Sequence, residues 1–171
     1  MKKAFIILFL GTLIAFQACN KDQVISEPTP VDDGVELEVP PHFPPPFSFD
    51  DNPLTRSGIE LGRRLFYDPR LSADSTQACA NCHLQDFNFS DFNQFSTGID
   101  GIQGDKNAMA IVNLAWQSTF FWDGRSIAME EQALEPIVNP IEMHDTWENV
   151  VKKLKADQMY QEQFTKAFGE N

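Results

Sequence analysis

Apolar residues recur with helical spacing in three parts of the chain. The first set lies between a candidate N-cap at Thr55 and a stop at Asp68-Pro69, because proline cannot continue a helix. The other two lie near the C-terminus, one behind a cap at Asp145 or Thr146 and one ended by Gly169. The sets are Ile59, Leu61, Leu65 and Phe66; Trp147, Val150, Val151 and Leu154; and Tyr160, Phe164, Ala167 and Phe168. Each predicts an amphipathic helix.

The segment between these helices is less regular. Helices are predicted at 109–116 and 127–134, the second capped by Ser126 and ended before Pro136. Residues 71–107 show little periodicity but contain many Gly, Ser, Asn and Asp residues, with phenylalanines among them. Loops that pack aromatic side chains usually enclose something large. Because the sequence has no comparable strand-like alternation, we predict an all-α fold with long loops.

The N-terminus predicts an exported lipoprotein. Two lysines precede an apolar run at 4–16 that is shorter than the roughly 20 residues needed to cross a bilayer. Cys19 follows a small residue, as at the site where a bacterial lipoprotein is cleaved and acylated. We therefore predict a signal peptide at 1–19 and a lipid-anchored protein of the cell envelope or periplasm. Ordinary signal cleavage and an uncleaved anchor are the alternatives.

A proline-rich linker is predicted at 20–51, ahead of a folded domain at 52–171. Proline fixes φ and removes backbone donors, so this linker should be an extended tether. Its second half includes Phe43 and Phe47 and is apolar enough to pack on the domain.

Charge narrows the range of partners. The chain has 25 acidic and 13 basic residues, and a formal net charge of −12. A strongly acidic surface argues against binding to nucleic acid and favours a basic protein partner.

The candidate chemistry lies in the sequence Cys79-Ala80-Asn81-Cys82-His83. Two thiols at this spacing can add to the two vinyl groups of a haem, while the adjacent histidine ligates the iron. A disulfide and a zinc half-site are the alternatives, but the sequence has no second ligand pair to complete a zinc site. Behind an export signal, the motif predicts one haem c bonded to Cys79 and Cys82 and ligated by His83.

The sequence leaves the sixth iron ligand open. Methionine and histidine are usual axial ligands of such haems. The candidates are His42, Met109, Met129, Met143 and His144. Each is also explained without iron, as a linker, core or helix-start residue. An open position would let a small molecule reach the iron, which separates an enzyme from an electron carrier.

Several ordered motifs resemble those of the bacterial di-haem cytochrome c peroxidase and MauG family, from about Asn52 to Phe168. They are Leu61 to Ser72, Cys79 to His83, Lys106 to Ala108, Phe121 to Arg125, Glu131 to Ala133 and Glu142-Met143. They match the N-terminal, peroxide-reacting haem domain of that family. The resemblance implies an all-α, cytochrome c-like domain that reduces hydrogen peroxide to water with electrons from a cytochrome or cupredoxin.

The resemblance also implies roles for single residues. Glu142 matches the distal acid/base, Gln132 a residue that positions peroxide, and Trp122 the tryptophan between the two haems. Asn107 matches a ligand of a calcium ion at the domain boundary, and a homodimer is implied for the full-length form. Independently of the resemblance, cleavage of an O–O bond needs a base that takes a proton from one oxygen and returns it to the other. A carboxylate such as Glu142 can do this.

The sequence departs from the family in two places. Ile99 stands where many members have a histidine that caps the resting haem, so an open iron, as in members similar to MauG, is expected. No second CxxCH follows His83, so we expect a fragment that lacks the second haem domain. The alternatives are a monohaem electron-transfer or haem-sensing module, and MauG-like oxidation of a protein partner.

We expect the mature protein to begin at an acylated Cys19. Intact-mass measurement on the native protein should show the added lipid, and Cys19→Ser should remove it and release the protein from membranes. A mature N-terminus elsewhere, without added lipid mass, would contradict this prediction.

Overall fold

The computed structural model describes residues 34–47 and 52–169. The predicted signal peptide, Cys19 and the first part of the linker lie outside these residues. The described part is helical and contains no β-strand, in agreement with the predicted all-α fold. Its α-helices are α1 (Arg56–Phe66), α2 (Cys79–Cys82), α3 (Met129–Val138), α4 (Trp147–Lys155) and α5 (Gln158–Phe168). No helix in 34–47 or 52–169 is long and apolar enough to span a membrane.

The three strongly periodic helices begin or end at the predicted residues. Thr55 caps α1, because its hydroxyl oxygen accepts a hydrogen bond from the N–H of Gly58 at 3.0 Å. Thr146 caps α4 by accepting from the N–H of Asn149. Gly169 ends α5 with φ of +76°, a conformation that glycine adopts at no steric cost.

The helix predicted at 109–116 does not form. Only Leu114–Trp116 make a short 3₁₀ turn, and Asn113 before it has φ of +54°, which is incompatible with a continuous α-helix. The carbonyl of Met109 accepts from His83, so it contributes to a tertiary contact.

The next helix is shifted from its predicted bounds. Ser126 does not cap it, because its hydroxyl bonds to the carbonyl of Ala128 and the carboxylate of Glu131. The helix also continues through Pro136 to Val138. The N–H of Asn139 donates to the carbonyl of Glu135 at 3.1 Å, which closes the last turn although proline has no donor.

The helices pack around one small core. α5 lies against α1 and α4, and α4 also contacts the 3₁₀ turn at Pro69–Leu71. The buried residues of the core are Leu71, Ile137, Met143 and Val150, with Leu65 and Leu154 packed against them. The linker segment also contacts the domain, since the indole N–H of Trp116 donates to the carbonyl of Pro44 at 2.7 Å. The expected packing of the second half of the linker is therefore present.

A polar cluster, the Asp68 cluster (Asp68, Arg70, Asp157 and Tyr160), joins α5 to the end of α1; Asp68 and Tyr160 are buried, while Arg70 and Asp157 are partly exposed. The fully buried Tyr160 donates its hydroxyl hydrogen to Asp68 Oδ2 at 2.6 Å. Arg70 donates to both carboxylate oxygens of Asp68 and to Asp157. Burial opposes ionisation of Asp68, but the hydrogen bonds from Arg70 and Tyr160 lower its pKa below the usual value.

We expect Tyr160→Phe to lower the free energy of unfolding by about 1.5–3 kcal/mol, the scale of a hydrogen bond to a charged group. A carboxylate with a lowered pKa stabilises the fold above its unfolded pKa, and this stabilisation is lost as pH falls through the folded pKa. The difference from wild type should therefore be largest near neutral pH and should narrow in acid. Urea unfolding measured at several pH values tests this.

Tyr67→Phe is the matched control, because the Tyr67 hydroxyl bonds to Gln85 at an exposed position. Its effect should stay within about 0.5 kcal/mol. Equal losses in the two variants would contradict the role assigned to the Asp68 cluster.

Candidate haem site

The helical turn α2 carries both cysteines of the predicted haem motif. The N–H of Ala78 donates to Asn81 Oδ1 at 2.8 Å, and the N–H of Asn81 donates to the carbonyl of Ala78 at 3.0 Å, which closes the turn. Cys79 and Cys82 are free thiols on this turn, and burial raises the pKa of both. Gln77 donates from Nε2 to Cys82 Sγ at 3.3 Å.

The imidazole of His83 is oriented by two backbone carbonyls. Its Nδ1 lies 3.1 Å from the carbonyl oxygen of Phe89 and 3.0 Å from that of Met109. Carbonyl oxygens only accept hydrogen bonds, so the proton must reside on Nδ1 and the lone pair on Nε2. A backbone carbonyl bonded to one ring nitrogen is the usual support for a histidine that ligates a metal through the other. Burial also lowers the pKa of His83, which favours the neutral, ligating form.

These residues fit a covalently bound haem c. The thiols come from one turn, and the adjacent histidine has Nε2 as its free ligand atom. A cleft of about 460 Å³ lies between α1 and the loops after His83, and Phe66, Phe89 and Ile111 line it together with Arg63, Tyr67 and Gln85. Neither cysteine nor His83 lines this cleft, so the fit to haem rests on the chemistry of the donor set in the motif. Cys79, Cys82 and His83 would hold the haem.

Burial is the main cause of the raised pKa of the Cys82 thiol, and the negative charges of Asp91 and Glu142 add to it, so Glu142 acts electrostatically on the motif. Although Glu142 is exposed, nearby protein atoms desolvate its carboxyl and raise its pKa. A hydrogen bond from Asn139 Nδ2 to Glu142 Oε1, at 2.8 Å, opposes this shift. A carboxyl with a raised pKa is suited to both taking and returning a proton.

The backbone of Glu142 is fixed by a loop that is distant in sequence. The N–H of Ile99 donates to the carbonyl of Glu142 at 2.8 Å. Gly98 allows this approach, because a Cβ at that position would clash with the carbonyl oxygen of Ile141. Ile99 itself is 3% exposed. Ile99, which the resemblance matches to the capping histidine of many family members, is therefore a core residue.

Trp122 and Asn107 lie together. The indole N–H of Trp122 donates to the carbonyl of Asn107 at 2.8 Å, and the tryptophan is 64% exposed. The Asn107 amide donates to the carbonyls of Asp91 and Asn93, and its Oδ1 accepts from the hydroxyl of Ser90. Within 34–47 and 52–169, no group of three or more His, Cys, Asp and Glu side chains could hold a metal. Calcium binding by Asn107 stays a prediction.

Gln132 lies on α3, and its side chain forms no hydrogen bond with the described residues. None of the hydrogen bonds of the described residues joins it to Glu142, so its proposed action on peroxide stays a prediction. Among the candidate sixth ligands, Met143 belongs to the buried core, while His42 and His144 are exposed. Met109 contacts His83 through its carbonyl, and Met129 begins α3.

The groups that orient the site residues were not predicted from the sequence. Asn139, Gln77 and Gly98 were not among the candidate residues, and the carbonyls of Phe89 and Met109 cannot be identified from residue type. Asn139 had a signal, because Asn-Pro ends helices and this one lies three residues before Glu142. Gly98 and Gln77 act through contacts that only the fold creates.

Comparison with known proteins gives consistent matches. Residues 56–171 match the family model described as di-haem cytochrome c peroxidase. The chain is 40% identical to the methylamine utilization protein MauG of Methylorubrum extorquens, over 69% of this chain and 33% of that protein. It is 38% identical to cytochrome c peroxidase Ccp of Escherichia coli, over 68% of this chain and 25% of that protein.

A solved structure is also similar. The fold superposes with a TM-score of 0.73 and 36% identity on a MauG-like protein associated with microbial copper homeostasis. The match covers 79% of this chain and 40% of that chain. The chain therefore spans well under half the length of each of these relatives.

We expect haem to be attached through Cys79 and Cys82 when the full chain is produced with a cytochrome c maturation system. The haem should survive acid-acetone extraction, and intact mass should show one haem added. Cys79→Ala with Cys82→Ala should abolish attachment, whereas Ala80→Ser, between the thiols, should leave it unchanged. Extractable haem in the wild-type chain would contradict the prediction.

Proposed function

This chain belongs to the di-haem cytochrome c peroxidase family, and from that premise we propose that it forms the haem domain in which peroxide is reduced. The overall reaction takes two electrons and two protons per hydrogen peroxide and gives two water molecules. The electrons would come from a small redox protein, a cytochrome or a cupredoxin. Relatives named cytochrome c peroxidase support this activity, and the acidic charge of the chain favours a basic donor protein.

Cys79 and Cys82 would hold the haem covalently, and His83 would ligate its iron through Nε2. Haem iron, when bound, supplies a redox centre and a coordination position for a small ligand. The hydrogen bonds from His83 Nδ1 to the carbonyls of Phe89 and Met109 keep the imidazole from rotating and increase its basicity as a ligand.

Glu142 carries the proposal, because proton transfer is the part of the reaction that the protein's own side chains must perform. Its ionised carboxylate would accept the proton of one peroxide oxygen, and the resulting acid would return that proton to the oxygen that leaves as water. The raised pKa of the carboxyl brings its two protonation states closer in free energy at neutral pH than they are for an ordinary glutamate.

Gln132 and Trp122 have supporting roles in this proposal. The Gln132 amide, which has no hydrogen-bond partner among the described residues, would bind peroxide beside Glu142. Trp122 is held by its bond to Asn107 with most of its ring exposed, as expected of an electron bridge that faces a second domain. Ile127, five residues further along the chain, is also exposed, at 80%.

We propose that a second haem domain covers this surface in the whole protein. The family is di-haem, this chain contains one CxxCH motif, and the named relatives are about three to four times longer than the matched part. Large exposed apolar side chains near one another mark interaction surfaces. Calcium at Asn107 and homodimer formation would belong to that longer form.

A MauG-like oxidation of a protein partner is the second candidate. It is favoured by Ile99, because a buried isoleucine cannot cap a haem iron as a histidine can. The relatives named MauG are as similar to this chain as the peroxidases. A monohaem electron carrier is the remaining alternative. In each case we propose a lipid-anchored protein of the cell envelope, on the evidence of the N-terminal sequence.

We expect the ferric haem-loaded chain to react with peroxide without prior reduction. Glu142→Gln should slow this step by about 10²-fold or more, the usual scale of general acid–base assistance. In the wild-type chain the rate should fall as pH drops through the raised pKa of Glu142, because the proton acceptor is then lost. Stopped-flow measurement of the haem absorption spectrum tests both expectations.

Glu148→Gln on the exposed side of α4 is the matched control and should react at the wild-type rate. An iron that is indifferent to peroxide would favour the electron-carrier alternative. A fast reaction in Glu142→Gln would remove Glu142 from the proposal.

A further inference from the structure

One side chain holds the carboxyl of Glu142. Asn139 Nδ2 lies 2.8 Å from Glu142 Oε1, and within 34–47 and 52–169 no other group donates a hydrogen bond to this carboxyl. The two residues belong to one short turn, since the N–H of Glu142 donates to the carbonyl of Asn139 at 3.0 Å. The side-chain contact and the backbone contact therefore reinforce each other.

The Asn139 amide has one possible orientation. Its Oδ1 accepts a hydrogen bond from the N–H of Ile141 at 3.1 Å, so the oxygen must point into the turn and the NH₂ group must point towards Glu142. Asn139 follows α3 in an extended conformation, as the residue before Pro140 must. Its carbonyl also accepts from the N–H of His144. The donor is thus placed before any substrate binds.

Charged groups act on Glu142 only from a distance. Arg125 lowers the pKa of Glu142 and Glu135 raises it, but Arg125 is itself bonded to Glu135 at 2.8 Å and to Asp123 at 3.0 Å. Cys82, the other titratable group that interacts with Glu142, loses its thiol proton when haem is attached. The neutral amide of Asn139 is therefore the direct influence on the carboxylate.

We propose that Asn139 is a positioning residue for Glu142. The side-chain amide of Asn139 donates the hydrogen bond that holds the Glu142 carboxyl in the orientation that proton transfer to peroxide needs. This inference rests on the proposed function, because it assigns Asn139 its role through Glu142. The effect of Asn139 on the Glu142 carboxyl is also measurable by itself, without turnover.

Two variants separate the donor from the turn. Asn139→Asp keeps an oxygen that accepts from the N–H of Ile141 but replaces the donor with a second carboxyl. Asn139→Ala removes both. In the haem-loaded full chain, infrared titration should follow the carboxyl band of Glu142, identified by its loss in Glu142→Gln. We expect the pKa of Glu142 to rise by about one unit or more in Asn139→Asp and by less in Asn139→Ala.

In each variant, the acid limb of the pH–rate profile of the peroxide reaction should move to higher pH by as much as the pKa of Glu142 rises in that variant. Asn113→Asp is the matched control, because Asn113 is exposed and aspartate tolerates its φ of +54°. It should leave both the band and the acid limb unchanged. Thermal unfolding shows whether each variant is folded. If Asn139→Ala does not fold, the result from Asn139→Asp alone decides.

An unchanged Glu142 titration in a folded Asn139→Asp chain would overturn the inference, even if Glu142→Gln slows the reaction. Conversely, if Glu142→Gln leaves the peroxide reaction fast, the proposed function fails, and the infrared shift still decides whether Asn139 controls the carboxyl.

Discussion

The hydrogen bonds at His83 Nδ1 connect the parts of the chain on which the site depends. A single N–H lies within 3.1 Å of the carbonyls of Phe89 and Met109, so the haem motif, the loop behind it and the segment at Met109 are held as one unit. The same contact puts the proton on Nδ1 and leaves Nε2 to bind iron. It also commits the Met109 carbonyl to a tertiary bond where a helix was predicted. Here one interaction determines both the local fold and the chemistry.

On the other side of the site, Glu142 is placed by the packed core. Its neighbour Met143 is buried between α3 and α4, and the backbone of Met143 bonds to Ala73 and Pro136. Displacement of Glu142 would expose this methionine and break the hydrogen bond from the N–H of Ile99 to the carbonyl of Glu142. Close packing resists such a shift, because even small changes in buried volume are costly. The Asp68 cluster, by joining α5 to α1, stabilises the helices against which α4 packs.

The sequence predicted what depends on local physics and missed what depends on tertiary contacts. Thr55, Thr146 and Gly169 end or begin helices through bonds within a few residues, so their roles are readable from spacing. The segment at 109–116 has helical spacing, but tertiary bonding and the positive φ of Asn113 override it. The cysteines and His83 form a motif because their chemistry requires fixed spacing. The partners that orient His83 are backbone carbonyls, and because every residue has one, the sequence does not show which carbonyls these are.

The choice of a neutral amide beside Glu142 has a physical reason. An arginine bonded to this carboxyl would hold its pKa low, and the acid form that returns a proton would then be scarce at neutral pH. The chain has a guanidinium nearby, at Arg125, yet two acidic side chains bind it at 3.0 Å or less. An apolar neighbour would leave the carboxyl free to rotate and would do nothing to offset the rise in its pKa that desolvation causes. An amide fixes the rotamer, offsets part of the desolvation and adds no charge. Proton transfer in both directions by one group requires this intermediate environment.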